Sequence, residues 1–513
     1  AQSWCRCTGD SSADQPWCQC TGDSSADQSG AKSLAPEGGD YSVGERSRLP
    51  TQTRVDSVHW AVQSRLTEIT SSSYFNYFQS NKMKYIIFGG GPCGMRLADN
   101  LSDQGHQVEL YERKDQLGGC WKVEWKDGYF TEHSPRVMST EYSRVGELVE
   151  ELGLKDPYRR IYGTKSQSNW MFFKYTLSNL SFLDTTKFTY SMFFLHKYDK
   201  RNLQEWMDEN NITTQGKKAI RNLGLTLQGV PEDLSAYVFF KTIRQGFGSA
   251  EFIQFRESDE WLKKWEEKLN KKDNVKIVKE CHLTNLVSKG KKIIYARTNK
   301  GRIKGDVFLC AFPLHNFQEM IKECEDANIR NNWMEEKKFI DYCKKSSYSG
   351  IGVQLHFKKK LELDLDWCQT CFSDFGIIML ETSKFNENFT QKKEIKTVLS
   401  CALVDFTARS SRLDKKMVKM TYKEIGQEVL YQLNKSTGLN LKPEAITVNV
   451  DFNRKGHWEL RESAFGITPL GPIPQKGNKI DNLYLVGCQN YYEIAILDNA
   501  LKAADDYCEE NEI

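Results

Sequence analysis

The sequence has no long apolar run, little excess charge and no dense cysteine framework. Its mean hydropathy is −0.59, and no stretch approaches the roughly 18 apolar residues of a membrane-spanning helix, so we predict no transmembrane segment. Lysine and arginine number 71 against 68 acidic residues, and this net charge of +3 does not indicate a nucleic-acid partner. The 15 cysteines are odd in number and spread over 513 residues, which excludes a secreted disulfide scaffold.

The first 82 residues differ in composition from the rest of the chain. Lys32 and Lys82 are their only lysines, and Ser, Gly, Asp and Gln dominate, as in disordered segments. Two similar units, Ser3–Gln15 and Pro16–Gln28, each contain a Cys-x-Cys pair whose spacing departs from that of zinc ligands. We predict a disordered or non-native tail over 1–82 without a metal site, and Met83 opens the first patterned segment.

A glycine-rich motif between a strand and a helix is the first segment that indicates chemistry. Tyr85–Phe88 and Val108–Tyr111 are short apolar runs that predict strands, and Met95–Gln104 predicts a helix between them. Gly89–Gly94 reads GGGPCG, in which the glycines allow a tight turn, a close approach to a pyrophosphate and close helix packing. Glu112 follows the second strand, at about the spacing of a ribose-binding acid. The pattern predicts a dinucleotide site.

A second fingerprint of this kind is missing from the sequence. Gly350–Gly352 lacks the third glycine and the following helix, so no separate NADPH domain is predicted.

The segment after Glu112 resembles the extended FAD signature of the amine oxidase superfamily. This superfamily includes monoamine and polyamine oxidases, protoporphyrinogen oxidase, phytoene desaturases and UDP-galactopyranose mutase. The resemblance rests on a second glycine pair in Gly118–Trp121, on Glu132–Arg136 as the element beside the isoalloxazine ring, and on Asn482–Gly487 as the last FAD strand. It covers about residues 83–513, but the motifs are specific only around the FAD site.

The motifs and the resemblance together imply FAD as cofactor. The assigned cofactor-binding residues are Gly89, Gly91, Pro92, Cys93, Gly94, Glu112, Arg113, Gly118, Gly119, Cys120, Trp121, Pro135, Arg136, Leu283, Gly487, Cys488, Glu493 and Ile494. Cys488 departs from the pattern, because the oxidases carry Asp there and the mutases carry Arg.

The resemblance also indicates residues near the reacting part of the flavin. The candidate catalytic residues are Trp458, Tyr491 and Tyr492. Gapless comparison with the mutase ending places Tyr492 and Asp498 on its Tyr and Asp. A helix is expected from Ile494 to Tyr507, with its N-terminus directed at the flavin pyrimidine edge.

We predict an α/β fold with a Rossmann-like FAD-binding domain of the glutathione reductase type, assembled from discontinuous segments. An α+β substrate domain should add a mixed or antiparallel sheet and a helical insertion. The predicted FAD-binding segments are 83–155, 256–315 and 471–513. The predicted substrate segments are 156–255 and 316–470.

The resemblance implies an FAD-dependent oxidoreductase that takes a hydride from a C–N or C–C bond of a small-molecule substrate onto flavin N5. Since no NADPH domain is predicted, the electrons should leave to oxygen or another external acceptor. One observation counts against a true amine oxidase: Ser349–Phe357, comparable to a strand that often carries a lysine, has none. Two alternatives stay open. One is a non-oxidative flavoenzyme such as a sugar-nucleotide mutase or an isomerase, and the other is a non-enzymatic FAD-fold protein.

The cysteines outside the tail are scattered, as in a reducing compartment, and predict a cytoplasmic protein. Cys368 and Cys371 form a CxxC outside the βαβ context of a redox motif, so we interpret them as incidental thiols.

Overall fold

The structure is a computed structural model. It describes residues 82–161, 179–198, 200–226, 230–232, 234–246, 251–346, 351–363, 369–370, 373–403, 405, 408–449, 451–452, 458–459, 473–488 and 496–513. All of these belong to one compact unit that spans 74–513.

The described residues form strands, α-helices and short 3₁₀ turns. The strands are β1 (Lys84–Phe88), β2 (Gln107–Tyr111), β3 (Glu124–Lys126), β4 (Tyr129–Thr131), β5 (Met138–Ser139), β6 (Tyr158–Arg160), β7 (Phe252–Phe255), β8 (Val275–Val278), β9 (Leu283–Lys289), β10 (Lys292–Thr298), β11 (Gly301–Ile303), β12 (Val307–Cys310), β13 (Ile351–Phe357), β14 (Gln369–Thr370), β15 (Ile378–Glu381), β16 (Thr397–Leu403), β17 (Arg409–Ser410), β18 (Lys415–Lys416), β19 (Ala445–Asn449), β20 (Asp451–Phe452), β21 (Trp458–Glu459) and β22 (Leu483–Leu485). The α-helices are α1 (Pro92–Asp103), α2 (Ser143–Glu151), α3 (Phe182–Phe193), α4 (Leu203–Glu209), α5 (Thr214–Thr226), α6 (Ala236–Gly246), α7 (Glu260–Asn270), α8 (Leu314–Lys322), α9 (Ala327–Arg330), α10 (Glu336–Ser346), α11 (Tyr422–Thr437) and α12 (Leu497–Glu510). Short 3₁₀ turns lie at Gly119–Trp121, Leu195–Tyr198, Thr382–Lys384 and Met417–Lys419.

A five-stranded parallel sheet takes its strands from three separated stretches of the chain. Its order is β22-β12-β1-β2-β8, and every neighbouring pair is parallel. The central strands β1 and β12 are largely apolar and buried, as strands covered on both faces must be. This sheet and its helices confirm the predicted α/β, Rossmann-like fold class.

Helices cover both faces of the parallel sheet. Tyr85 and Ile87 of β1 pack in one apolar cluster with α1, α7 and α12. Ile86 and Phe88 of the same strand pack in another cluster with α8 and α10. Successive side chains of a strand point to opposite faces, so one short apolar run contributes to both clusters.

A second sheet is wholly antiparallel, with the order β14-β15-β16-β13-β19. Val353 and Leu355 of β13 are buried in an apolar cluster with α11. The alternate residues Gly352, Gln354 and His356 face the opposite way, toward the stretch that contains β4. The sheet therefore has one apolar face and one face that contacts β4 and Glu132.

The helices α3, α4 and α6 form a small core with many aromatic residues. Phe188, Trp206, Phe239 and Phe240 are buried there, and their rings meet mainly edge to face. These described aromatic residues therefore form core. On α3, however, Phe182 is 85% exposed.

Two predicted helices differ from the structure at their ends. The helix predicted from Met95 begins at Pro92, because proline suits the first helical position, where no N–H partner is needed. The helix predicted over Ile494–Tyr507 runs over Leu497–Glu510. The domain boundaries stay a prediction. Among the described residues, no helix has the length and apolar character needed to cross a membrane.

The buried histidine of β13 makes stability depend on pH. Burial lowers the pKa of His356 to about 4, and its ring contacts Thr447 Oγ1 at 3.2 Å. Between about pH 6.5 and 4 the unfolded chain takes up a proton that the folded protein does not, so the free energy of unfolding decreases as the pH falls. We expect this group to contribute a loss of about 3 kcal/mol at most.

His356→Gln should reduce this acid sensitivity, since glutamine can still bond to Thr447 but does not titrate. The measurement is the melting temperature between pH 7 and pH 4. His282→Gln, at an exposed position, is the control and should melt like the wild type. Equal acid sensitivity of His356→Gln and the wild type would contradict the prediction.

Candidate cofactor-binding site

The glycine-rich turn lies at the carboxyl end of β1 and joins it to α1. Gly89 has a φ of +108°, and a Cβ there would lie 2.5 Å from the main-chain oxygen of Ala311. A Cβ on Gly94 would overlap the carbonyl oxygen of Gly89. Both positions therefore need glycine, because the helix begins in direct contact with the strand end.

The N-terminus of α1 is free of capping side chains. Its N-cap is Gly91, no side chain caps the helix, Pro92 lies in the first turn, and no acidic residue occurs there. A Cβ on Gly91 would have one protein atom within 4 Å, the Cα of Gly119 at 3.8 Å, so no described protein atom fills the space in front of Gly91. Uncapped N–H groups at a helix N-terminus, next to glycine backbone, fit a diphosphate.

The predicted ribose acid is buried and held in one orientation. Glu112 accepts hydrogen bonds from the main-chain N–H of Gly90 at 2.7 Å and of Lys114 at 2.8 Å, one on each carboxylate oxygen. These two contacts hold the carboxylate just after β2, at the position expected for a ribose-binding acid. Arg113, which stands between Glu112 and Lys114 in the sequence, is exposed.

The second glycine pair packs against the first. Gly118 has a φ of +109°, and its N–H donates to the carbonyl of Gly90 at 2.7 Å. The 3₁₀ turn that follows contains Cys120 and Trp121, and the Trp121 ring meets Trp261 edge on. The structure thus brings the two glycine motifs together, whereas the Trp121 ring packs on the α7 side of the core.

Two thiols lie where the chain after β22 meets α1. The Cys93 thiol donates to the carbonyl of Val486 at 3.4 Å, which is next to Gly487. Burial raises the pKa of Cys93 well above its ordinary value, and it raises the pKa of Cys488 to about 12. Both groups are therefore neutral thiols near pH 7, and Cys488 lacks the charge of the acid that the oxidases carry.

The segment Glu132–Arg136 is buried. The carboxyl of Glu132 is 3.4 Å from the Arg136 guanidinium, which also donates to the carbonyl of Lys122 at 2.6 Å. Burial raises the pKa of Glu132 even though Arg136 and nearby hydroxyls lower it. Pro135 lies between these two residues. Arg136 thus connects this segment to the residue after the Gly119–Trp121 turn.

Leu283 lies at the start of β9 and pairs with Thr298 on β10. Two residues earlier, the N–H of Cys281 donates to the carbonyl of Glu112 at 2.8 Å. Cys281 is thus the nearer residue to the predicted ribose acid. Sequence reasoning missed it, although the pairing of β8 with β2 brings the residues that follow these strands together.

The C-terminal helix is linked to α2 by a side chain. Asp498 accepts hydrogen bonds from the main-chain N–H groups of Arg144 at 2.8 Å and Val145 at 3.1 Å. This carboxylate therefore satisfies two of the free N–H groups at the N-terminus of α2. Burial raises its pKa, while the two N–H groups lower it.

Several predicted residues lie outside the described residues, namely Tyr491, Tyr492, Glu493, Ile494, Cys368 and Cys371. Trp458 is described as part of β21, which pairs with β20. Within the described part of the chain, no group of three His, Cys, Asp or Glu residues could hold a metal ion.

Comparison with known proteins agrees with this fold. The family model described as "Flavin containing amine oxidoreductase" matches residues 92–506. A parallel sheet with a glycine turn of this kind is typical of dinucleotide-binding folds. The chain belongs to the flavin containing amine oxidoreductase family.

Curated relatives match over short stretches. The UDP-galactopyranose mutase of Mycoplasma pneumoniae is 29% identical over 104 residues, which are 20% of this chain and 26% of the mutase. An L-amino-acid oxidase of Sistrurus catenatus edwardsii is 29% identical over 76 residues, 15% of each chain. The chain thus aligns with about a quarter or less of the length of these relatives.

Solved structures match over most of the chain. Cyclohexylamine oxidase from Brevibacterium oxydans has a TM-score of 0.58 at 15% identity, covering 84% of this chain and 100% of that one. Putrescine oxidase has a TM-score of 0.55 at 12% identity, covering 84% and 99%. At such identities the likeness shows the fold.

Gly94→Ala should weaken FAD binding by at least about tenfold, because the methyl group must displace the Gly89 carbonyl or shift α1 away from the strand. The measurement is the dissociation constant of FAD from the apoprotein, by flavin fluorescence quenching. Gly146→Ala is a matched control, since no atom lies within 4 Å of its added Cβ and it lies inside α2. If both variants bind FAD alike, the turn does not hold the cofactor.

Proposed function

We propose that the protein is an FAD-dependent oxidoreductase that takes a hydride from the C–N bond of a small amine onto flavin N5, with oxygen or another external acceptor. A C–C bond is the second possible hydride source within this reaction class. The observation that carries the proposal is the joining of both glycine motifs and Glu112 at one end of the parallel sheet. Membership of the flavin containing amine oxidoreductase family supports it.

The residues present have the chemistry that FAD would need. The turn Gly89–Gly94 and the N-terminus of α1 would hold the diphosphate, and Glu112 would accept hydrogen bonds from the ribose. We propose that Gly118–Gly119 and Gly487–Cys488 border the ribityl and flavin parts, with Cys120 and Cys93 beside them. We propose that Leu283 and Cys281 both lie near the adenine.

The flavin would supply the hydride-accepting ring, and the protein would supply position and electrostatics. We propose that Pro135 and Arg136 lie beside the ring and that Trp458, Tyr491 and Tyr492 line the substrate side. The buried antiparallel sheet would exclude water from that side, which strengthens every electrostatic interaction made there.

The described cysteines are all free thiols, which supports a reducing, cytoplasmic location.

A sugar-nucleotide mutase is the second candidate, and the match to UDP-galactopyranose mutase favours it. Asp498, which the gapless comparison places on the mutase Asp, is bonded to two N–H groups of α2 in this chain. That contact gives this residue a structural partner and weakens the case for a mutase.

Anaerobic flavin bleaching tests the proposal directly. The purified protein should be yellow, and at least one amine from a panel of benzylamine, putrescine and cyclohexylamine should bleach it, with peroxide formed when air is admitted. A mutase would instead turn over UDP-galactopyranose only after dithionite reduction. Protein that is colourless and cannot be reconstituted with FAD would exclude both candidates and favour a non-enzymatic FAD-fold protein.

A further inference from the structure

A fully buried glutamine of the antiparallel sheet binds the main chain of the first FAD-binding segment. Gln354, in the middle of β13, has no exposed surface. Its Nε2 donates to the carbonyl of Glu132 at 2.8 Å, and its Oε1 accepts from the Glu132 N–H at 3.2 Å. The amide therefore pairs with both polar main-chain groups of one residue, as a neighbouring strand would.

The remaining capacity of this amide is also used within the protein. Oε1 also accepts from the hydroxyl of Thr131 at 3.0 Å, and Nε2 donates to Ser400 Oγ at 3.3 Å. The Thr447 hydroxyl lies 3.3 Å from Oε1 and donates to the Phe130 carbonyl at 3.0 Å. Gln354 thus has no donor left for a ligand. Its contribution to a site can only pass through the residues that it holds.

The sheet approaches Glu132 closely at a second point. A Cβ on Gly352, two residues before Gln354 on the same face, would overlap the Glu132 carbonyl oxygen. Gly352 and Gln354 together set the distance between β13 and the main chain of Glu132. The direction of the Glu132 side chain follows from that placement.

The side chains held in this way carry buried polar atoms without hydrogen bonds. Glu132 Oε1 accepts from Thr382 Oγ1 at 3.4 Å, and Arg136 Nη2 donates to Lys122, so both groups are anchored from one side. Glu132 Oε2 and Arg136 Nε face each other as an ion pair at 3.4 Å without forming a hydrogen bond. These two atoms and Arg136 Nη1 have no hydrogen-bond partner. Glu132 is 1% exposed and Arg136 is 5% exposed. Such atoms cost free energy unless a polar ligand or water completes their hydrogen bonds.

We propose that Gln354 is a positioning residue: it fixes the Glu132 main chain so that the Glu132 carboxyl and the Arg136 guanidinium present these atoms to a polar group of the substrate. That group must offer a hydrogen-bond donor to Glu132 and an acceptor to Arg136. The inference rests on the proposed function, because it takes Glu132–Arg136 to lie beside the flavin.

A double-mutant cycle on the FAD-loaded protein tests the proposal. The proteins are the wild type, Gln354→Met, Glu132→Gln and the double variant, with Gln432→Met as the matched control. Gln432 is a buried glutamine of α11 whose amide bonds to the N–H of Phe375 and the carboxylate of Glu428, away from Glu132. The readouts are the rate of anaerobic flavin reduction at saturating benzylamine, the benzylamine concentration at half-maximal rate, and the midpoint potential of the bound flavin.

Gln354→Met should lower the saturating rate by about tenfold or more, as should Glu132→Gln, and the double variant should be no slower than the slower single variant. Both single variants should shift the flavin potential in the same direction. Gln432→Met should stay within about twofold of the wild type. The proposal is overturned if the fold-decrease in rate of the double variant equals the product of the two single-variant decreases. It is also overturned if Gln432→Met lowers the rate as much as Gln354→Met does.

Other outcomes separate this inference from the proposed function. If FAD binds but benzylamine does not bleach it, amine oxidation fails for that probe. The midpoint potential of the bound flavin then tests the positioning role, which is overturned if neither single variant shifts that potential. If Gln354→Met does not retain FAD, Gln354→Asn takes its place, because it keeps the amide but falls one methylene short of Glu132. A wild type that binds no FAD overturns both proposals.

Discussion

The site depends on the contact between the start of α1 and the end of β1. At Gly94 the helix lies so close to the strand that even a methyl group would meet the Gly89 carbonyl. This closeness brings the uncapped helix N-terminus over the end of the sheet, where Glu112 and the Gly118–Gly119 turn also lie. If α1 packed less closely on the strand, its N-terminus would lie farther from Glu112 and from the Gly118–Gly119 turn. One ligand could then not contact all three.

The thiols of the site are uncharged, whereas some of its buried side chains are acidic or basic. Cys93 and Cys488 are neutral near pH 7, and the buried ionisable groups include Glu112 and the Glu132–Arg136 pair. The pair is desolvated, and those of its polar atoms that make no hydrogen bond reduce stability unless a ligand completes their hydrogen bonds. Retaining such groups in a core exchanges stability for recognition.

Sequence reasoning predicted the glycine turns, Glu112 and the strands around them, because local geometry demands those residues. It placed the starts of α1 and α12 differently, since proline at a helix start and the exact onset of the last helix are set by packing. It did not find Gln354, Gly352 or Cys281. Their roles follow from contacts between segments far apart in the chain, and no local pattern indicates such contacts.

The hydrogen bond between Cys93 and Val486 joins residues 393 positions apart, and β22 is the last strand to enter the parallel sheet. A ribosome must therefore synthesise the chain through Val486 before the first glycine turn acquires all of its neighbours. Until then β12 has an unpaired edge, which is open to wrong partners. Folding of this protein should thus be governed by long-range closure late in synthesis, and it should be slow for the same reason.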